Sequence, residues 1–207
     1  MAQRHNDRSV RRLHRASLPR GTIELAKYLI GKTLVHDARA GSTSGRIVET
    51  EAYVVGDAAG HAYRGPTLRN KSLFLDRGHA YVYRAYGLHF LVNVSSEIRG
   101  VGAGVLLRAL EPLDGIHLMQ LRRSHSTLID LAKGPGRLAQ AMGISLRQDG
   151  LDLCAAGALW LGESVRPEVE IGRSVRIGIS RETRRLLRFF EVGSPYVSGP
   201  KRLKEQA

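Results

Sequence analysis

The chain has 207 residues, 43% of them hydrophobic, which is enough to bury one substantial core; 32 Lys and Arg against 19 Asp and Glu give a formal charge of +13 and a pI near 10.5. So basic a balance attracts polyanions, either nucleic acid or an anionic membrane surface, without choosing between them. The single cysteine, Cys154, excludes an intramolecular disulfide and a cysteine-rich metal or iron–sulfur site, and reads as a small buried apolar side chain.

Nothing approaches the roughly 20 apolar residues that cross a bilayer, and no secretory apolar core stands at the N-terminus. The expected compartment is therefore reducing and aqueous: cytoplasm in a bacterium, nucleus or organelle otherwise.

Residues 1–18 hold Arg4, Arg8, Arg11, Arg12 and Arg15 with almost no apolar periodicity, and are expected to form a flexible basic arm ahead of one domain running from 19 to 203. From Thr22 to Leu34, the positions Ile23, Leu25, Ala26, Leu29 and Ile30 predict a helix that Gly31 closes. Strands then dominate. Gly45–Val55 alternates, Ala80–Tyr83 alternates, and His89–Val94 follows a turn centred on Gly87. Val101–Leu110 is a nearly continuous apolar run, as in a strand buried on both faces. Helical patterns cover Leu113–Arg123 and Gly136–Met142, the second stopped by Gly143. Short apolar runs return at Leu159–Leu161, Val175–Ile179 and Phe189–Val192. No repeat and no interdomain linker interrupts them, so the chain reads as one α+β domain.

Two clusters could carry chemistry. If Arg46–Tyr53 is a strand, Glu49, Glu51 and Tyr53 share one face and Val48, Thr50 and Ala52 the other. A face with two carboxylates and a tyrosine is poor core material; it is either an ordinary solvent face or a site. Tyr81, Tyr83 and Tyr86 fall within six residues, with Tyr81 and Tyr83 facing one way and Tyr86-Gly87 at a hairpin tip. An exposed tip tyrosine either folds back on its own hairpin or acts as a wedge between stacked bases. Among polar singles, Arg108 ends the apolar run, where a buried cation needs a partner, and His61, Arg69, Asn70 and Asn93 lie near these segments. Lys133-Gly134-Pro135-Gly136 before a helix presents free amides suited to a phosphate, or is simply a turn. No His, Cys or acidic spacing suggests a metal, and the glycine patterns of nucleotide-binding loops are missing.

Together these segments resemble the alkyladenine (3-methyladenine) DNA glycosylase family. The resemblance rests on Gly45–Tyr53, Tyr81-Val82-Tyr83 with Tyr86-Gly87, Asn93–Ser96, Val105–Pro112, Gly134-Pro135 with Leu138, and Gly193-Ser194-Pro195, in that order from about residue 22 to 200. It implies a central, mostly antiparallel curved β-sheet with a protruding β-hairpin and flanking helices. It further implies Glu51 as the general base that activates the attacking water, with Arg108 holding both. Tyr53 and Tyr83 would sandwich a flipped base, His61 would add a wall and a hydrogen bond, and Asn93 would guard against the amino group of guanine. Tyr86 would fill the gap left in the duplex. Between Tyr53 and His61 the spacing is one residue shorter than in the family, which makes His61 the least direct transfer.

The implied partner is double-stranded DNA carrying damaged purines; a monomer with no cofactor is expected, with Arg69, Lys133 and Gly134 as candidate phosphate contacts. Lys27, Lys32, Lys71 and Lys133 lie outside the tyrosine and glutamate segments, so the expected chemistry is hydrolysis without a Schiff base or strand cleavage. The competing readings are a non-catalytic nucleic-acid-binding protein, which has no use for a carboxylate facing phosphate, and a helix-hairpin-helix glycosylase, which would be mostly helical.

Overall fold

The structure, a computed structural model, describes residues 10–85, 87–124 and 126–203. Eleven main elements follow one another: α1 (Thr22–Tyr28), β1 (Thr33–Ala38), β2 (Gly41–Tyr53), β3 (Ala80–Ala85), β4 (His89–Ser95), β5 (Gly104–Asp114), α2 (Ile116–Arg122), α3 (Pro135–Met142), β6 (Leu159–Gly162), β7 (Ile171–Ser174) and β8 (Arg188–Glu191). The strands form one curved, eight-stranded antiparallel sheet in the order β3-β4-β5-β2-β1-β6. β8 pairs with β2 at Glu49–Glu51, and β7 pairs with β8. This is the expected α+β domain. Among the described residues no helix is long and apolar enough to cross a membrane.

The long strand β2 organises the fold, because its first half pairs with β1 and its second half with β8, while β5 runs along its other edge. One sheet face carries the main apolar core: Leu25 and Ala26 of α1, Leu29 just after it, and Leu138, Ala139 and Met142 of α3 meet Ile47, Ala52, Leu107 and Leu110. Each of the leucine, isoleucine and methionine side chains contributes about 1.5–3 kcal/mol when withdrawn from water. Gly143 closes α3 in the left-handed region at φ 71°, as its position predicts. Gly87 takes φ 69° at the β3–β4 turn.

The apolar run Val175–Ile179 is a loop after β7. Two expectations change. The helix placed at Leu113–Arg123 begins only at Ile116, since β5 continues to Asp114 to complete its pairing with Ser44. Residues 10–18 are not a free arm. The Leu13 N–H donates to Leu161 C=O at 2.9 Å and the Glu163 N–H to Arg11 C=O at 2.8 Å, which extends the edge of β6. Leu13 and Leu18 are buried, and Arg12 lies 4.7 Å over the Trp160 ring. Two leucines among the arginines suffice to dock the segment, and the exposed backbone of β6 gains partners by it. Arg4 and Arg8 lie outside the described residues.

Cys154 is half-buried rather than fully buried, and burial pushes its thiol up to about 11.

Candidate active site

The β2 strand does not alternate strictly. Its register against β5 passes from Ile47–Leu110 to Glu49–Ala109 and then to Thr50–Leu107, so Val48 and Arg108 are each an extra residue in their own strand. Ile47, Thr50 and Ala52 face the main core side, Thr50 by donating its hydroxyl to Ala26 C=O at 2.9 Å. Val48 instead packs with Ala109, Phe190 and Val197, on the side where Glu49, Glu51 and Tyr53 lie. Without the bulge, Glu51 would share the face of Ile47 and point into hydrocarbon. Re-aiming a side chain beside a site is a common use of such irregularities.

The glutamate face is not a solvent face: Glu49 and Glu51 are both 0% exposed. At Glu49, Oε1 accepts from Arg108 Nε at 2.8 Å and from Arg188 Nε at 2.7 Å, and Oε2 accepts from the Ser198 N–H at 2.7 Å. Burial pushes its pKa up, but the two guanidiniums outweigh that and hold the group below its ordinary value.

At Glu51, Oε1 accepts from the Ile177 N–H at 2.7 Å and meets Arg108 Nη1 at 3.1 Å, while Oε2 accepts from the Tyr53 hydroxyl at 2.9 Å. Here burial dominates, helped by the charge on Glu49, and the pKa rises despite Arg108, the Ile177 N–H and the Tyr53 hydroxyl. The two neighbouring carboxylates are thus pushed apart, Glu49 lowered and Glu51 raised. A carboxylate offers about four acceptor positions, so the three donors leave Oε2 able to take one more.

Tyr53, Arg108 and Ile177, which hold Glu51, all line a cavity of about 630 Å³, within the range of roughly 300–1,000 Å³ usual for small-molecule sites. Glu51 itself lies behind them. The opposite wall comes from the β3–β4 hairpin. Tyr81 and Tyr83 stack at 5.3 Å between centroids, and Asn93 Nδ2 donates to Tyr81 C=O at 3.2 Å. His61, exposed at the mouth, sets its ring edge-on to Tyr83 at 4.4 Å and its Nδ1 2.9 Å from the Tyr81 hydroxyl. Partial desolvation of the ring, then the charge of Arg69, lower its pKa. The Tyr53 hydroxyl is pushed up by burial and by Glu51, and keeps its proton.

The structure thus brings Glu51, Tyr53, His61, Tyr83, Asn93 and Arg108 together around one cavity. Arg69 also lines it, donating from Nη2 to Arg84 C=O at 3.2 Å with its guanidinium 5.8 Å over Tyr83. Lys133 and Gly134 are not part of the described wall, although Pro135, the next residue, is. Tyr86 lies outside the described residues. Among those described, no group of three or more His, Cys, Asp or Glu is placed to hold a metal.

Sequence reasoning did not single out Tyr81 as a wall, although its offset of two from Tyr83 put both on one face. It gave no signal for Ile177, Arg176, Asp57 or Arg188, which reach the site only through the tertiary fold.

Residues 16–195 match the family described as methylpurine-DNA glycosylase. A protein of Mesorhizobium japonicum is 60% identical over 191 residues, covering 92% of this chain and 92% of its own. One of Paraburkholderia phytofirmans is 53% identical over 191 residues, 92% of this chain and 90% of its own. One of Methanoculleus marisnigri is 46% identical over 182 residues, 86% of this chain and 94% of its own. All three carry the name "Putative 3-methyladenine DNA glycosylase".

Proposed function

This chain belongs to the methylpurine-DNA glycosylase family, and from that premise we propose that it excises alkylated or deaminated purines from duplex DNA by direct hydrolysis of the N-glycosidic bond, leaving an intact abasic site. The observation that carries the reading is Glu51: a fully buried carboxylate of raised pKa, with an acceptor position to spare, held by three groups that line a cavity walled with tyrosines. A carboxylate there repels phosphate and has no value to a protein that only binds DNA.

The damaged purine rotates out of the stack and enters the cavity against Tyr53, Tyr83 and His61. Flipping costs a few kcal/mol, less for a damaged or mispaired base, which is one filter. Stacking on tyrosine favours a cationic alkylated ring by roughly 0.5–2 kcal/mol, about three- to thirty-fold. Asn93 lines the cavity, and the family resemblance gives it the role of obstructing the amino group of guanine and gives Tyr86 that of filling the gap in the duplex. Glu51 then takes a proton from a water that approaches Oε2. The water oxygen bonds to C1′, the C1′–N9 bond breaks, and its electron pair leaves with the purine, which neutralises a cationic alkylated ring and leaves a neutral lesion as an anion that takes a proton from water. Arg108 keeps Glu51 ionised enough to act. No lysine belongs to the described cavity wall, which supports hydrolysis without a covalent enzyme–sugar link. The protein acts as a monomer, with the basic surface drawing in the duplex.

The test is single-turnover base release from hypoxanthine- and ethenoadenine-containing duplexes and from alkylated DNA, in EDTA, for the native protein and Glu51→Gln. Release that persists in EDTA and collapses in the variant, with DNA binding retained, is the expected result. Tight binding with no release from any of these substrates would move the reading to a DNA-binding protein.

A further inference from the structure

Arg176 immediately precedes Ile177 in the loop after β7, and the hydrolysis drawn above makes no use of it. Its side chain is 0% exposed, as is that of its partner Asp57. The guanidinium grips both Asp57 oxygens, Nη1 on Oδ2 and Nη2 on Oδ1 at 3.1 Å. Nη1 also donates to the C=O of Ala52, the residue between Glu51 and Tyr53, at 3.0 Å. The same group lies 4.6 Å over the Tyr53 ring. Asp57 Oδ1 in turn accepts the Ala59 N–H at 3.0 Å, within the loop that leads to His61.

A buried ion pair is an inefficient way to stabilise a fold, because desolvating both ions consumes most of the attraction between them, and apolar residues of like volume serve as well. What a bidentate pair offers is fixed geometry. This one spans 119 residues of sequence and touches the backbone on either side of the site. We propose that the Arg176–Asp57 pair is the positioning device of this site: it locks the loop after β7 onto β2, so that the Ile177 N–H stays on Glu51 and the Tyr53 ring keeps its free face toward the cavity. The proposal rests on Glu51 acting as the base. Arg176 and Asp57 act through Ile177 and Tyr53.

The experiment is single-turnover base release on whichever lesion duplex the native protein cleaves best, with enzyme raised until the rate constant reaches a plateau. An unfolded fraction changes how much enzyme saturates the reaction and leaves the plateau alone, whereas mispositioning lowers the plateau itself. Arg176→Met is expected to lower it about 10- to 100-fold, as displacements near 1 Å do, with the half-saturating concentration changed less than about threefold. Arg176→Lys keeps a charge on Asp57 but cannot span both oxygens and the Ala52 carbonyl, and is expected to recover part of the loss.

Should Arg176→Met fail to fold, Asp57→Asn carries the test, with an expected plateau loss of about tenfold. A folded Arg176→Met, or Asp57→Asn in its place, with a plateau within about twofold of native overturns the proposal. Glu51→Gln in the same series keeps the two ideas apart. If it retains the native plateau, the base assignment fails; if it is inactive while Arg176→Met is unaffected, only the positioning role fails.

Discussion

Glu49 and Glu51 sit two residues apart on one face, both wholly buried, yet the structure predicts opposite consequences for the same substitution. In Glu49→Gln the charge that holds Arg108 and Arg188 is lost, and one of the native acceptors becomes an amide NH2. The native group receives Arg108 Nε and Arg188 Nε on one oxygen and the Ser198 N–H on the other, so at least one donor must then face another donor. Removing one partner from a buried charged network costs about 3–5 kcal/mol. For a chain of this size, at about 2–4 °C per kcal/mol, the melting temperature falls by roughly 6–20 °C.

In Glu51→Gln the side-chain oxygen still accepts from the Ile177 N–H and Arg108, and the new amide can donate to the Tyr53 hydroxyl oxygen. What disappears is a carboxylate whose raised pKa means that its ionised form is destabilising in the fold. Such a group favours the fold fully below its unfolded pKa of about 4.3, and that favour drains away as pH rises through the folded value. Glu51→Gln should therefore melt no lower than native at neutral pH, and higher if the relief outweighs the lost contacts, with the difference vanishing in acid. Glu49 has a lowered folded pKa, so its contribution is present above the unfolded value and is lost as pH falls through the folded one. Thermal unfolding followed by circular dichroism at neutral and acid pH measures both. A Glu49→Gln melt within about 2 °C of native, or a Glu51→Gln melt more than about 2 °C below native at neutral pH, would refute the account of the two environments.

The rate of base release should fall in acid with an apparent pKa above the roughly 4.3 of an unperturbed glutamate, since Glu51 must be ionised to act and burial raises it; a limb at or below that value in the single-turnover pH profile assigns the base elsewhere. Leu13→Ala, at a 0% exposed anchor of the N-terminal segment, should cost about 2–5 kcal/mol in urea unfolding. An unchanged midpoint would mean that this docking contributes nothing to stability. Arg69→Ala and Lys133→Ala should each lower the slope of log K against log salt for duplex binding by about one, the signature of one lost phosphate contact. A residue whose removal leaves the slope intact makes no such contact.

Elements whose pattern repeats within a few residues were legible beforehand: the alternation of β3 and β4 around Gly87, the apolar run of β5, and the stop of α3 at Gly143. So was the grouping of Glu49, Glu51 and Tyr53, because side-chain direction along a strand is a local property. The order of blocks along the chain was enough to point to the family.

Local pattern could not say that this face is covered, since the cover arrives from far along the chain. Glu51 meets Ile177 across 126 residues, and Glu49 meets Arg188 across 139. Nor could it place Val48 on the glutamate side, because the bulge exists only in the register of β2 against β5. The docking of residues 10–18 depended likewise on an open β6 edge about 150 positions away. Sequence alone grouped Glu49, Glu51 and Tyr53 on one face; the pairing of distant strands and loops decided that Glu49 and Glu51 are withdrawn from water, and so that the pKa of the first is lowered and that of the second raised.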